Sequence, residues 1–326
     1  MTREMNPQLP HVSVVIPTHR RPEALARCLR SLIAQDYPPD RLDIHVVHNR
    51  TADETEAVVR RLAAESPVPL RYTARNGRGP APSRHFGGME AKGEIIAFVD
   101  DDCEVSPGWI SAAAAAFAGA PEVGLVQGAT LPNPAHRRRL LEKTVNVPGP
   151  SPFFETCNIF YRVAAFRAVD GFTGPFADRF YGEDTDLGRR VLAAGWQYRF
   201  SHEAVVYHEV TAQPLGKWLM ECWHLRNLPL LVKRWPEMRG ALFLHWFLTR
   251  QSAAFVLGLL GLVFMPLTGG WSGLAVLPFF FVRMLEPGRY RNPLAVAARA
   301  ALGLPRACVT FAALVWGSAR ARCLVL

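Results

Sequence analysis

The chain is short of several things, and each shortage narrows what it can be. Its 326 residues include only six cysteines (Cys28, Cys103, Cys157, Cys222, Cys308 and Cys323), with no C-x-x-C pair and no matching histidine spacing. That scatter excludes a disulfide or zinc framework and predicts reduced, mostly buried thiols. The opening MTREMNPQLPH has no apolar stretch of the secretory-signal type, so the main domain is expected to stay in the cytoplasm. Acidic residues are scarce toward the C-terminal end: residues 240–326 hold eight arginines and one glutamate, and so carry seven of the nine net positive charges. The near-neutral remainder argues against a nucleic-acid surface and for arginines lying beside anionic lipid headgroups.

Charge is missing altogether from Ser252 to Val282, 31 residues rich in Leu, Phe, Val and Gly. One upright span takes about 20 apolar residues, so the run is too long for one helix and short for two complete ones. A hairpin over 252–282 is expected, turning at Thr268–Gly273. Arg250 stands before the run and Arg283, Arg289 and Arg291 behind it, which puts both ends on the cytoplasmic side. Residues 294–318 read as a further helix, spanning or amphipathic and interfacial, because Arg299 and Arg306 interrupt it. The chain thus divides at 239/240 into a main domain and a membrane-associated tail. A buried helical subdomain or an oligomer interface is the soluble alternative.

What is present in the main domain alternates between strand and helix. Val12–Ile16 is a β-branched run stopped by Pro17, and Leu25, Leu29, Leu32 and Ile33 follow at helical spacing. Ile44–Val47 is a second strand, leading through the turn His48–Asp53 into a helix that carries Val58, Val59 and Leu62. Such a series predicts a mainly parallel sheet with ligands at the carboxyl ends of its strands. The Gly/Arg/Pro-rich stretch 75–84 reads as a binding loop ahead of a helix. Ile95–Val99 then runs straight into Asp100, Asp101 and Asp102. A helix near Ile110–Ala118 and a strand Val123–Gln127 follow, and residues 132–154 read as a loop over the site.

Three groups carry chemistry. Asp100 and Asp102 at the end of an apolar strand raise each other's pKa unless a cation intervenes, and their oxygen ligands suit Mg²⁺ or Mn²⁺ bridging to phosphate. A solvated acidic turn is the bland alternative. Glu183, Asp184 and Asp186 open a helix after Gly182; helix capping explains one or two acids there, and a third leaves a carboxylate for general base work. His208 ends a strand over Ala204–Tyr207, where it is either a metal ligand or an ordinary surface histidine.

Taken in order, VSVVIPTHRRPEALARCLRSLIAQDYP, IIAFVDDD, FFETCNIFYRVAAFRAVDGF, FYGEDTDLGRRVLAAGW and VVYHE resemble the successive motifs of family 2 glycosyltransferases, over roughly Val12 to Trp235. The resemblance implies a GT-A fold, Rossmann-like, with an inverting transfer from a nucleoside diphosphate sugar to a hydroxyl of a lipid-linked or polysaccharide acceptor. It implies nucleotide contacts at Pro17 and Thr18, and donor and metal contacts at Asp100, Asp101 and Asp102. Asp184 is implied as base, Glu183 as lining of the acceptor pocket, His208 as metal ligand, and Arg84 and Arg226 as partners of the diphosphate. The family aspartate that bonds the nucleotide base is replaced by His48, which leaves uracil, guanine and thymine open and makes Asn49 or Asp53 a substitute contact. His48 also motivates a rival reading, a catalytically silent sugar-nucleotide-binding scaffold. A nucleotidyltransferase is a second rival, in which the Glu183–Asp184 pair has no task.

Overall fold

The computed structural model describes residues 9–49, 53–77, 79–136, 140–284 and 293–326. Arg50–Ala52 of the expected turn, Arg78 of the expected binding loop, residues 137–139, and Arg289 and Arg291 behind the uncharged run lie outside the described residues.

In chain order the first elements are β1 (Val12–Thr18), α1 (Pro22–Ile33), β2 (Leu42–Asn49), α2 (Thr55–Glu65), β3 (Leu70–Arg75), α3 (Ala81–Met89), β4 (Ile95–Val99) and β5 (Cys103–Val105). They are followed by α4 (Trp109–Phe117), β6 (Val123–Pro132), β7 (Glu142–Lys143), β8 (Asn158–Arg162), α5 (Val163–Ala168), α6 (Glu183–Ala193), β9 (Gln197–His208) and β10 (Thr211–Ala212). The C-terminal helices are α7 (Leu215–Met220), α8 (Leu228–Arg234), α9 (Arg250–Phe264), α10 (Leu277–Met284) and α11 (Pro293–Ala321).

These elements form two compact units, Met1–His136 with Thr144–Val210, and Arg137–Lys143 with Thr211–Leu326. The boundary read from the sequence at 239/240 falls inside the second unit, because α7 and α8 pack on α11. Trp218, Leu228 and Leu231 bury themselves in that packing, which no local pattern foretells.

The first unit is an eight-stranded sheet in the order β3-β2-β1-β4-β8-β6-β9-β5. Its first four strands are parallel, as expected, but β8 runs antiparallel to both β4 and β6, and β5 antiparallel to β9. β6 and β9 pair in parallel again, so the sheet is mixed but, as expected, mainly parallel. The two antiparallel strands, β5 and β8, carry no strand signal in the sequence reading, nor does β3: β5 has three residues and β3 is a half-exposed edge without an apolar alternation. β1 is buried along its whole length because both faces are covered, which is why it reads as a continuous apolar run. Val14 and Ile16 meet Leu25 and Leu29 of α1 and Trp109 of α4 on one side. Val15 and Phe98 meet Phe166 of α5 and Leu187 of α6 on the other. Gly87 of α3 permits the closest of these approaches, since a Cβ there would stand 2.4 Å from Val15.

In the second unit the chain doubles back between α9 and α10. α9 starts at a Thr249/Ser252 capping box, and the chain turns at Gly269 (φ +58°) and Gly270 (φ +97°) before returning through Trp271–Val276 into α10. Phe255, Phe279 and Phe311 join α9, α10 and α11 in a small core. Among the described residues two helical stretches, Arg250–Thr268 and Val296–Ala321, are long and apolar enough to cross a membrane. Leu257, Leu260, Val263, Leu267, Trp271 and Phe281 are exposed.

Candidate active site

The sheet topology gathers the chemistry at one edge. β1 and β4 are parallel neighbours in register from Val12↔Ile95 to Val15↔Phe98, so Thr18 and the acids after Val99 leave the sheet side by side. Thr18 Oγ1 donates to Asp101 Oδ2 at 2.7 Å. β8 is antiparallel to β4 and starts at Asn158 opposite Val99, so the segment before it enters at the same edge. The last pair of β9 with β5 is His208↔Cys103, which sets His208 beside Asp102.

Arg84 ties the separate motifs together. The sequence placed it in a loop; it lies instead in the first turns of α3, on the face that Ala81, Gly87 and Gly88 turn inward. The helix begins there because Pro80 and Pro82 suit its first positions, where their missing amide protons cost nothing. Arg84 is 4% exposed, and its guanidinium bonds Asp100 Oδ1 at 2.5 Å and Asp184 Oδ1 at 3.4 Å. Two carboxylates 84 positions apart in the chain thus share one cation. Burial alone pushes Asp100 upward, but Arg84 outweighs it and holds the group below the ordinary aspartate range.

The acids opening α6 divide into distinct roles. Asp186 is fully buried and bonded by Arg190 Nε at 2.9 Å, while the other nitrogens of Arg190 bond the carbonyls of Val169 and Gly171; this acid braces the helix. Asp184 accepts from the Thr156 amide at 3.1 Å, and Thr185 Oγ1 donates to the Phe153 carbonyl, so α6 is stitched to the segment leading into β8. Burial raises Asp184 above its ordinary pKa against the pull of Arg84. Burial, reinforced by neighbouring Asp184, lifts Glu183 to about 8. A carboxylate with a raised pKa is a stronger proton acceptor, the property a general base near neutrality needs. The turn before α6 requires Gly182: its φ is +101°, and a Cβ would stand 2.8 Å from Phe176.

Asp102 and His208 form the candidate cation site. His208 Nδ1 lies 2.9 Å from the Glu209 carbonyl, so the neutral ring carries its proton there and turns the Nε2 lone pair toward Asp102 Oδ1 at 3.5 Å. Two acceptors facing each other suit a cation between them. Cys103 is within reach of the same point, but burial, and then Asp102, raise its thiol well above the ordinary range, which disfavours the thiolate a metal would need. The donors that fit are therefore oxygen and imidazole, appropriate to Mg²⁺ or Mn²⁺. Asp101, pressed by burial and by Asp102, rises to about 7.

On the nucleotide side, Pro17 and Thr18 end the buried β1. Asn49 ends β2, and its Oδ1 accepts from the Gly77 amide at 3.1 Å, pinning the start of the glycine-rich segment. His48 is 2% exposed, with Nδ1 2.8 Å from the Tyr72 hydroxyl and Nε2 3.5 Å from Asp53 Oδ2. Arg226, the weaker sequence candidate, belongs to the other compact unit, where it bonds the Trp223 carbonyl.

Two site residues escaped the sequence reading. The Thr156 amide has no side-chain signature. Arg21, next to the first motif, sets its Nη1 2.6 Å from Asp102 Oδ2 and 3.3 Å from Asp101 Oδ1. Its signal was available, as an arginine directly before the Pro22 that starts α1, where the chain leaves β1 at the carboxylate edge.

Comparison with known proteins identifies the family. The sequence profile described as glycosyl transferase family 2 matches residues 13–169, and that of glycosyl transferase family group 2 matches residues 95–286, more than half the chain. Glycosyltransferase AglE of Haloferax volcanii is 27% identical over 224 residues, which span 66% of this chain and 71% of that protein. The GalNAc(5)-diNAcBac-PP-undecaprenol beta-1,3-glucosyltransferase of Campylobacter jejuni is 31% identical over 104 residues, 32% of this chain and 33% of that one. Among solved structures, the mannosyltransferase PcManGT of Pyrobaculum calidifontis, in complex with GDP-Man and Mn²⁺, has a TM-score of 0.59 at 18% identity, covering 96% of this chain and 87% of its own, a likeness of fold. The expected GT-A architecture with apolar C-terminal helices is thereby met. The chain belongs to the family 2 glycosyltransferases and is a transferase enzyme that takes its sugar from a nucleotide sugar.

Proposed function

We propose that the enzyme transfers a sugar from a nucleoside diphosphate sugar to a hydroxyl of a lipid-linked or glycan acceptor, with inversion, aided by a divalent cation at Asp100, Asp102 and His208. The observation that carries this reading is the shared guanidinium of Arg84, which supports a single site formed by the Asp100–Asp102 run and the Glu183–Asp184 pair. Asp184 takes the proton of the acceptor hydroxyl as its oxygen bonds the anomeric carbon and the bond from that carbon to the diphosphate oxygen breaks. A single displacement of this kind inverts the anomeric centre. A bound Mg²⁺ or Mn²⁺ supplies charge neutralisation for the departing nucleoside diphosphate. Glu183 lines the acceptor side, and Arg84 holds Asp184 in place before transfer.

Pro17, Thr18, His48 and Asn49 form the nucleotide side, with Asp101 fixed to Thr18. We assign His48 the holding of Asp53, whose carboxylate takes the base contact that the family places at the histidine's position. The Campylobacter relative, named for an undecaprenol-linked glycan, supports a lipid-linked acceptor, and so do the exposed apolar helices of the second unit. We place the enzyme at the cell membrane with the sheet unit facing the cytoplasm. The Mn²⁺ and GDP-Man of the archaeal structural neighbour support the cation.

Asp184→Asn tests the assignment. Loss of a general base costs about 10²- to 10⁴-fold in rate, so transfer should fall by that factor while thermal stabilisation by a nucleoside diphosphate with Mn²⁺ persists. Undiminished transfer by this variant refutes Asp184 as the base.

A further inference from the structure

The side chain of Arg21 stands where charge on the aspartate run most needs an answer. It is 46% exposed and belongs to no packed core, yet its Nη1 lies 2.6 Å from Asp102 Oδ2 and 3.3 Å from Asp101 Oδ1. Asp102 therefore faces two ways, with Oδ1 toward the His208 Nε2 lone pair and Oδ2 on the guanidinium. The backbone sets this placement: Arg20 adopts a left-handed φ of +55°, and Arg21 sits at the non-helical position just before α1. A left-handed arginine is a strained choice, and here it aims the next side chain back over the ends of β1 and β4.

We propose that Arg21 is a place-holder for the divalent cation: its guanidinium neutralises Asp102 and Asp101 while the site is empty and, when cation and donor enter together, is released to the donor's diphosphate. The inference rests on the proposed metal-dependent reading of the site. Its logic is competition for one carboxylate oxygen. A guanidinium on Asp102 Oδ2 must leave before a divalent ion takes that oxygen, so Arg21 weakens cation binding in the absence of donor. A diphosphate is the one component of the loaded site that offers this arginine a new anionic partner, and guanidinium pairs with phosphate oxygens in the same forked manner as with carboxylates. Arg21 thus couples the two ligands: each binds better with the other present, a reciprocity that linkage requires. It is a positioning residue and exchanges no proton.

The test uses the full chain and has a readout independent of turnover. Mn²⁺ binding is measured by electron paramagnetic resonance or calorimetry for wild type, Arg21→Gln and Arg21→Lys, without nucleotide and with saturating UDP, GDP or dTDP. Arg21→Gln should bind Mn²⁺ several-fold more tightly than wild type without nucleotide, and the gain in Mn²⁺ affinity that the nucleoside diphosphate confers should shrink. Arg21→Lys, which keeps the charge but not the fork, should lie between them. Circular dichroism of the variants should match wild type, since the side chain is part of no apolar core. Equal or weaker nucleotide-free Mn²⁺ binding by Arg21→Gln overturns the place-holder role while leaving the metal site standing, provided that wild type binds Mn²⁺ with nucleotide. Absence of Mn²⁺ binding in every protein and condition overturns the metal reading, and this inference with it.

Discussion

At the scale of single residues the site is a problem of burying acids, and Arg84 is the main answer. With methionine there, Asp100 and Asp184 lose their common counter-charge. Breaking a fully buried pair costs about 3 to 5 kcal/mol. These carboxylates are 26% and 24% exposed, so water offsets part of that, and Arg84→Met should lose about 2 to 3 kcal/mol in urea denaturation. Added Mn²⁺ should restore some of the loss. For Glu183, burial and the neighbouring Asp184 outweigh the pull of Arg84, and this gives a pH signature. Its pKa is about 8 in the folded protein against 4.5 for the ordinary side chain, so between those values the native state holds a proton that the unfolded chain has released. The stability this group contributes is complete below about 4.5 and declines as pH rises to about 8. Denaturation midpoints across that range should fall with pH in wild type and flatten in Glu183→Gln. Of these residues, Asp100, Asp102, Asp184 and His208 were legible through the ordered motifs of the family resemblance, since each taken alone also has an ordinary structural reading. Arg84 was legible only as a family position, because its burial depends on how α3 packs.

At the scale of elements, the site is assembled by the ends of β1, β4 and β9 and by the start of α6. The turn into α6 is the most exacting of these, because Gly182 adopts a φ of +101° directly beneath Phe176. Gly182→Ala should destabilise the protein by about 1 to 3 kcal/mol from backbone strain. Transfer should fall out of proportion to that, since Glu183 and Asp184 are displaced with the turn; thermal melts paired with transfer assays separate the two effects. Long, strongly patterned elements such as α1, β4 and α6 were predictable to within a residue or two. β3, β5 and β8 were not read as strands, because the half-exposed edge of β3, the three residues of β5 and the local context of β8 owe their conformation to neighbours.

On the molecular scale the chain contains a folded carboxylate-edged sheet and a second unit with an unusual surface. Helices α9 to α11 and the turn between the first two leave Leu260, Val263, Trp271, Phe281 and Trp316 exposed, whereas soluble proteins seldom expose large contiguous apolar patches. Arginines stack on aromatic rings in the same unit, Arg239 on Trp246 at 4.6 Å and Arg306 on Trp218 at 4.2 Å. Such cation–aromatic pairs suit the headgroup layer of a bilayer. After cell lysis without detergent the full-length protein should sediment with membranes and be released by detergent rather than by salt. Recovery in the high-speed supernatant would rule out the membrane assignment.

The sequence by itself determined the apolar tail, through residue types at short, local spacings, and the reaction class, through the ordered motifs that resemble family 2 glycosyltransferases. Only the tertiary structure decided that the sheet is mixed, that Asp186 is structural while Asp184 faces the site, and that Arg84 and Arg21 answer the buried charge. Those outcomes depend on contacts between residues far apart in the chain, whose energies exist only once the sheet has brought the strand ends together.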